Sequence, residues 1–139
     1  MDVIRIVLDE NAIMPERAHR LDAGLDLFAP VDFVVPAHGY AFVDTGVHFE
    51  LPWSTCGRVC SKSGLNREFG ITADGLIDEG YTGSVGITVH NDGDEDYHFS
   101  RGNKVAQLVI EDIRRLRPVQ VSEITGGDRG DDGFGSTGR

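Results

Sequence analysis

The stretch Phe42-Val43-Asp44-Thr45-Gly46-Val47-His48-Phe49 is the part of this 139-residue sequence that decides the fold class. Its apolar residues recur with a period near two. Such a period places alternate side chains on opposite faces of a β-strand, because successive residues of a strand point to opposite sides. The stretch therefore predicts β-structure.

Similar short apolar runs lie on both sides of this stretch. Clusters of Gly, Pro, Asn and Asp separate them, as turns would. Many short strands with frequent turns predict an all-β sandwich, barrel or jelly roll. We find no window of a dozen residues with a helical stripe, and expect one short helix that follows Ser63-Gly64-Leu65 and runs to Phe69. The runs comprise residues 3–8, 31–35, 85–89 and 105–110.

The composition is that of one soluble globular domain, with 40% hydrophobic and 26% charged residues. A formal net charge of -10 argues against binding to nucleic acid or anionic membranes. The sequence shows no signal peptide and no apolar run of the roughly 18–20 residues that span a membrane, so we expect a cytoplasmic protein. Cys56 and Cys60 form a lone C-x3-C, which predicts free thiols rather than a zinc site.

The last fourteen residues, Gly126 to Arg139, differ from the rest of the chain. Six are glycine, and Phe134 is the only large apolar side chain among them. The sequence therefore predicts a β domain over residues 1–125 and a flexible segment over residues 126–139. This segment is either a disordered tail or a lid that orders over a ligand. As a lid, Arg129, Ser136 and Thr137 would suit a phosphate, and the ring of Phe134 could stack on a base.

Five glycine-containing segments stand out, and together they carry a family resemblance. Each alone is a weak signal, because short glycine-rich strings are common. In this order, and over nearly the whole chain, they resemble the five motifs of the trimeric dUTPase family. The segments are Ala23-Gly24-Leu25-Asp26-Leu27, Ser61-Lys62-Ser63-Gly64-Leu65, residues 75–83, residues 101–108 and residues 129–138.

The resemblance implies a distorted jelly-roll, or β-clip-like, subunit that forms a homotrimer. It also implies that the subunits share each active site: the first, second and fourth motifs come from one subunit, the third from a neighbour and the fifth from the remaining one. The implied reaction is magnesium-dependent hydrolysis of dUTP to dUMP and pyrophosphate. It would limit uracil in DNA and supply dUMP for dTMP synthesis.

The resemblance also implies a role for individual residues. Asp78 occupies the position that activates the water attacking the α-phosphorus, and Asp26 the position that supports the site and the hydration shell of the metal. Mg²⁺ would be held by the substrate phosphates and by waters, with no direct protein ligand. The ring of Tyr81 would pack on the deoxyribose and exclude a 2′-hydroxyl. A hairpin around residues 71–75, including Gly75, would read the base edge through its backbone. The remaining implied substrate contacts are Lys62, Ser63, Gly64 and Gln107 from the second and fourth motifs, and Arg129, Phe134, Gly135, Ser136 and Thr137 from the fifth.

The sequence departs from the family pattern at its phosphate-site cations. Lys62 stands where arginine is usual, and Asn103 and Lys104 replace an acid and an arginine. Lysine keeps the charge but loses the bidentate fork of arginine. These replacements leave open a non-enzymatic alternative, a trimeric nucleotide-binding module that signals to a partner protein.

A second departure lies at Thr72-Ala73-Asp74-Gly75, which is similar to the related dCTP deaminases. Those enzymes use a glutamate near the end of the following strand, a position held here by Thr88. Threonine cannot act as that general base, so the alternative of a deaminase, or of a bifunctional deaminase–pyrophosphatase, is disfavoured.

Overall fold

The computed structural model describes residues 3–138. Within that range the chain forms ten β-strands and one short helix. The prediction of an all-β chain with one short helix is therefore confirmed, although the helix begins at Ser63, within the second motif, rather than after Leu65. The elements are β1 (Arg5–Leu8), β2 (Leu25–Phe28), β3 (Phe33–Val35), β4 (Gly39–Asp44), β5 (Val47–Glu50), β6 (Thr55–Cys60), α1 (Ser63–Phe69), β7 (Ile71–Ile77), β8 (Gly86–Asn91), β9 (Tyr97–Phe99) and β10 (Lys104–Asp112).

The main sheet has six antiparallel strands in the order β2-β10-β6-β7-β8-β4, and two strand pairs, β1–β5 and β3–β9, accompany it. Strand β7 curls this sheet because it changes partner along its length. Residues 71–74 pair with β8, whereas residues 75–77 pair with β6. Residues 71–74 form one arm of an antiparallel hairpin with β8, and residues 71–75 contain no turn of their own because they lie in one continuous strand. The reading of a base edge by this segment stays a prediction. The fold is of the jelly-roll type.

The core lies between the curled sheet and the two strand pairs, and it is built from alternate residues of the strands. In β8, Ile87, Val89 and Asn91 are buried while the residues between them are more exposed. Each large apolar side chain that is buried in this way contributes roughly 1.5–3 kcal/mol. The largest fully buried side chains are Phe49, Phe99, Leu27, Ile71, Ile87 and Leu108.

The stretch that decided the fold class consists of β4, a turn and β5. Gly46 in the turn has φ 68, and a Cβ there would lie 3.0 Å from the Cβ of Ala12, so the position favours glycine. The buried hydroxyl of Thr45 donates to the carbonyl of Val85 at 2.7 Å and accepts from the N–H of Val47 at 3.2 Å. These bonds join the turn to the start of β8.

Regular structure ends at Asp112, the last residue of β10. Residues 114–132 are exposed, and the boundary predicted at residue 126 stays a prediction.

Cys56 and Cys60 are free thiols, as predicted. No helix within the described part of the chain is long and apolar enough to cross a membrane.

Candidate active site

A buried carboxylate between two lysines forms the centre of the first cluster. Asp26 on β2 is 3% exposed. The Nζ of Lys62 lies 2.6 Å from its Oδ1, and the Nζ of Lys104 lies 2.7 Å from its Oδ2. The first, second and fourth motifs thus meet at one side chain.

The sheet register explains why these three residues meet. β10 lies between β2 and β6, and Gln107 is opposite both Asp26 and Cys60. An irregularity in the pairing between Lys104 and Ala106 shifts the register near the start of β10. Lys62 lies two residues after the end of β6 and is the N-cap residue of α1, and its Nζ reaches Asp26 on β2.

The electrostatics of Asp26 follow from this arrangement. Burial alone raises the pKa of the Asp26 carboxyl, but the hydrogen bonds and charges of Lys104 and Lys62 outweigh it, and the pKa is lowered overall. The same contact raises the pKa of Lys104. Asp26 is therefore an ionised group that holds two cations in fixed positions. A contact of Asp26 with a metal's hydration shell stays a prediction.

Gln107 is packed against two of the motifs. Its Nε2 donates to the carbonyl oxygen of Ser61 at 3.0 Å. On the other side, a Cβ at Gly24 would lie 2.5 Å from its Oε1. The absence of a side chain at Gly24 therefore makes room for the amide of Gln107 beside the Asp26 cluster.

Ser63 and Gly64 are exposed at the first turn of α1, next to Lys62. The side chain of Lys62, the N-cap residue, makes no capping hydrogen bond. A Cβ at Gly64 would meet no atom within 4 Å, so the backbone there is open to close approach. The structure thus places both predicted phosphate contacts beside the lysines.

The second cluster surrounds Asp78, which is exposed directly after β7. It lines a cleft of about 300 Å³ together with Phe42, Leu76, Tyr81 and Ser84. The hydroxyl of Tyr81 donates to the carbonyl oxygen of Ser84 at 2.7 Å, and the N–H of Tyr81 donates to the carbonyl oxygen of Asp78. This loop places the predicted water-activating carboxylate and the predicted sugar-packing ring in one cleft.

Several residues that sequence reasoning left without a role restrain this loop. The hydroxyl of Ser84 donates to Asp44, and the ring of His48 contacts the carbonyl oxygen of Thr82. The carboxylate of Glu79 accepts a hydrogen bond from the N–H of Ser54 at 3.0 Å and forms an ion pair with Arg115. The hydrogen bond of Arg115, followed by that of Ser54, lowers the pKa of Glu79. A histidine or glutamate in a strand or turn carries no local signal of such contacts.

The two clusters lie toward opposite ends of β6. Ile77 is paired with Gly57, whereas Gln107 is paired with Cys60. These β6 partners are three residues apart, roughly 10 Å, and Asp78 and Lys62 extend further in opposite directions. The two clusters are therefore separated within one chain.

The fifth motif lies apart from both clusters. Phe134 is fully exposed, and Arg129 donates to the hydroxyl of Ser136 at 3.3 Å within the motif itself. Among residues 3–138, no group of three or more His, Cys, Asp or Glu side chains is arranged to hold a metal ion.

Comparison with known proteins identifies the family of the chain. The family model described as dUTPase matches residues 10–138. The deoxyuridine 5′-triphosphate nucleotidohydrolase of Clostridium acetobutylicum is 43% identical over 134 residues, covering 94% of this chain and 92% of that protein.

Solved structures of phage dUTPases are similar throughout. The dUTPase of Staphylococcus bacteriophage 80alpha with dUPNHPP has a TM-score of 0.94 at 30% identity, covering 100% of both chains. The dUTPase of phage phi11 of S. aureus, in a form described with a structural Mg(II) ion, has a TM-score of 0.81 at 30% identity, covering 88% of this chain and 98% of that one. Together with the family model, these similarities show that the chain belongs to the dUTPase family.

Proposed function

We propose that this protein hydrolyses dUTP to dUMP and pyrophosphate in a magnesium-dependent reaction, with Asp78 activating the attacking water. The observation that carries the proposal is the cluster in which Asp26 holds Lys62 and Lys104 beside Gln107. Two oriented cations at the surface of a chain with net charge -10 suit a polyphosphate. The dUTPases of the family and the phage enzyme with dUPNHPP support uracil deoxynucleotide as the substrate class.

Asp78 supplies the base in this mechanism. Its carboxylate is exposed in the cleft and can accept a proton from a water molecule. The water oxygen forms a bond to the α-phosphorus, and the bond from the α-phosphorus to the oxygen that bridges to the β-phosphorus breaks. Pyrophosphate leaves with that bridging oxygen.

The lysines, the start of α1 and Gln107 bind the triphosphate in the proposal. Lys62 and Lys104 are 28% and 41% exposed, so their ammonium groups can contact phosphate while Asp26 holds them from behind. Ser63 and the open backbone at Gly64 lie beside them.

The described residues fit a magnesium ion that is held by phosphate oxygens and waters, with Asp26 as a contact through water. When bound, Mg²⁺ neutralises phosphate charge and fixes the geometry of the oxygens. Each Asp26 oxygen lies within 2.7 Å of a lysine Nζ, and the side chain is buried. This supports the expectation, drawn from the family resemblance, that the ion has no direct protein ligand.

Sugar and base recognition would come from the region of β7 and its following loop. The ring of Tyr81 would pack on the deoxyribose, where a 2′-hydroxyl would collide with it. Gly75, at the point where β7 changes partner, would offer its backbone to the base. Arg129, Phe134, Gly135, Ser136 and Thr137 would close over the nucleotide as a lid.

The separation of the two clusters supports a homotrimer with shared sites. If Asp78 of one subunit completes the Asp26 cluster of another, a variant without Asp78 and a variant without Gln107 complement each other. The mixture is assayed at dUTP concentrations far below the KM of the Gln107→Ala protein, where both variants are impaired. Subunits with Asp78→Asn, mixed equally with subunits that carry Gln107→Ala, would form an intact pair of clusters at about a quarter of the sites. Recovery of about a quarter of wild-type turnover is expected after mixing and reassembly. No recovery would contradict sharing between subunits.

The direct test is pyrophosphate release in the presence of magnesium, with dUTP, dCTP, dTTP and UTP offered separately. We expect release from dUTP only, and a loss of at least about a thousandfold in kcat for Asp78→Asn with nucleotide affinity retained. Asp92→Asn, at another exposed aspartate, is the matched control and should turn over normally. Undiminished turnover by Asp78→Asn would refute the assignment of Asp78.

Measurements of ammonia release and of nucleotide binding separate the alternatives. Ammonia release from dCTP would favour deamination. Tight binding of dUTP without hydrolysis by the wild-type protein would favour the nucleotide-binding module. Truncation before Arg129 should leave a folded protein with sharply reduced turnover, because the removed segment has no buried large apolar side chain. Normal turnover by the truncated protein would exclude a lid.

A further inference from the structure

His48 joins two parts of the molecule through both nitrogens of its ring. It lies on β5 between the buried residues Val47 and Phe49, so its side chain projects from the opposite face of the strand. Its Nδ1 lies 2.8 Å from the carbonyl oxygen of Thr82, and its Nε2 lies 3.0 Å from Oδ2 of Asp9. The ring is 26% exposed, so the contact is partly sheltered from water.

Both partners of His48 accept hydrogen bonds. A peptide carbonyl has no proton to donate, and an ionised carboxylate has none either. A neutral imidazole carries one N–H and can satisfy one partner, whereas the imidazolium carries two and satisfies both. The geometry therefore fits the doubly protonated ring.

The charges around His48 favour the same state. The hydrogen bond to Thr82 and then that to Asp9 raise the pKa of His48, with a further contribution from the charges of Asp9 and Asp44. Arg5, on the neighbouring strand β1, is paired with Glu50 at 2.8 Å, so these two charges largely offset each other.

The loop that His48 contacts carries the reacting groups of the proposed function. Thr82 follows Tyr81 directly, and the N–H of Tyr81 donates to the carbonyl oxygen of Asp78 at 2.9 Å. Asp9 lies just after β1, and its N–H donates to the carbonyl oxygen of Gly46 in the β4–β5 turn. The histidine thus connects the Asp78–Thr82 loop to the β1–β5 pair.

We propose that His48 is a positioning residue whose imidazolium fastens the Asp78–Thr82 loop to Asp9 and thereby sets the placement of Tyr81 against the sugar. This role rests on the proposed function, because it assigns the loop to dUTP binding. His48 itself touches neither substrate nor reacting atoms.

The pH dependence follows from the direction of the pKa shift. A histidine whose pKa is raised by its partners is fully protonated, and keeps both hydrogen bonds, when the pH is below the ordinary pKa of histidine. It loses its second proton, and with it one of the two bonds, as the pH rises through the raised pKa. The contact of His48 with Thr82 and Asp9 should therefore make the affinity for dUTP higher near pH 6 than near pH 9. The titration of dUTP itself affects wild type and variants alike, so the ratio of their KM values isolates His48.

Two substitutions separate the two contacts. The amide nitrogen of asparagine stands near the position of Nδ1, so His48→Asn can keep the bond to Thr82 at any pH. The amide nitrogen of glutamine stands near the position of Nε2, so His48→Gln keeps the hydrogen bond to Asp9 and loses the hydrogen bond to Thr82 in the loop. His38→Asn is the matched control, because His38 forms a similar pair with Asp94 at 2.9 Å, asparagine tolerates its φ of 55, and the pair lies away from the loop.

We expect His48→Gln to raise KM for dUTP roughly threefold to tenfold near pH 6, with a smaller change in kcat. The difference in KM between this variant and wild type should narrow toward pH 9. His48→Asn should stay close to wild type near pH 6 and vary less with pH. The control His38→Asn should follow wild type throughout. Equal KM values for wild type and His48→Gln near pH 6 would overturn the proposal, as would a difference that is independent of pH.

An NMR titration of the wild-type protein provides a readout without turnover. The backbone amide signals of residues 81–83 should shift with the same midpoint as the ring of His48, and this midpoint should lie above the ordinary histidine value. Amide signals that do not change as His48 titrates would refute the coupling between His48 and residues 81–83. If the wild-type protein released no pyrophosphate, the proposed function would fail, yet this titration would still test the contact.

Discussion

Replacing Asp26 with asparagine tests the most tightly organised part of the site. The side chain is 4% exposed and its two oxygens face two ammonium groups. Asparagine keeps the volume but removes the charge, and its amide end turns one acceptor into a donor that faces an ammonium group. The substitution therefore leaves two neighbouring lysines without their shared counter-charge.

The magnitude follows from the geometry of the pair. A hydrogen bond to a charged group contributes about 1.5–3 kcal/mol, and removing one partner of a buried pair costs about 3–5 kcal/mol. The two lysine side chains reach water in part, which lowers this cost because the freed ammonium groups can be hydrated. We expect Asp26→Asn to lower the free energy of unfolding by about 2–3 kcal/mol, and Tm by about 5–10 °C.

The pH dependence of this effect has a definite sign. The pKa of Asp26 is lowered in the folded protein, so its stabilising contribution is present above the ordinary carboxyl value of about 4. That contribution is lost as the pH falls through the folded pKa. The difference in unfolding free energy between wild type and Asp26→Asn should be constant near neutral pH and should shrink in acid.

Denaturant unfolding followed by circular dichroism, at equal protein concentrations, measures these differences. Asp128→Asn, in the exposed C-terminal segment, changes the net charge by the same amount and should leave stability close to wild type. Lys62→Met should destabilise wild type more than it destabilises Asp26→Asn, because the pair is already broken in that variant. An Asp26→Asn protein as stable as wild type, or additive effects of the two substitutions, would refute the role of Asp26 as the shared counter-ion.

Two further substitutions test the packing around the site. Gly24→Ala should displace the amide of Gln107, raising KM for dUTP severalfold with a stability loss of about 1 kcal/mol, as steady-state kinetics and thermal unfolding would show; unchanged KM would mean that Gln107 does not contact substrate. Thr45→Val should cost about 1–3 kcal/mol in denaturant unfolding, because the buried N–H of Val47 loses its hydroxyl acceptor; a neutral result would mean that the β4–β5 turn relaxes around the substitution.

The sequence was sufficient for the fold class because its signals are local. The alternation at residues 42–49 reappears as β4 and β5, and the glycine at residue 46 marks the turn between them. The helix Ser63–Phe69 was likewise expected from residues that adjoin it. Period and turn chemistry are properties of neighbouring residues, so they can be read without the rest of the chain.

The curl at β7 was not predictable in this way. The structure shows that residues 71–77 form a single strand, which pairs with β8 up to Asp74 and with β6 from Gly75 onward. This change of partner depends on where two distant strands lie, which no local pattern records.

The motifs predicted that Asp26, Lys62 and Gln107 lie together, as they do in the structure, but not how their charges are arranged. Motif order indicated that Asp26, Lys62 and Gln107 belong together. It did not indicate that both lysines would pair with the same carboxylate, because Lys104 is far from Asp26 in the chain and meets it only through the register of β10 with β2. The contact between His48 and Thr82 escaped sequence reasoning for the same reason.

The pairing of both lysines with Asp26 has a consequence for how an acidic protein binds a polyanion. With a net charge of -10, free lysines on flexible side chains would be drawn toward many surface carboxylates. A single buried carboxylate that holds both ammonium groups fixes their positions before a nucleotide arrives, so less side-chain entropy is lost on binding. Phosphate oxygens can then contact the outer side of each ammonium group without displacing Asp26, since an ammonium group has three donors. The replacement of arginine by lysine at these positions thus exchanges a rigid planar fork for two point charges whose placement depends on a third residue.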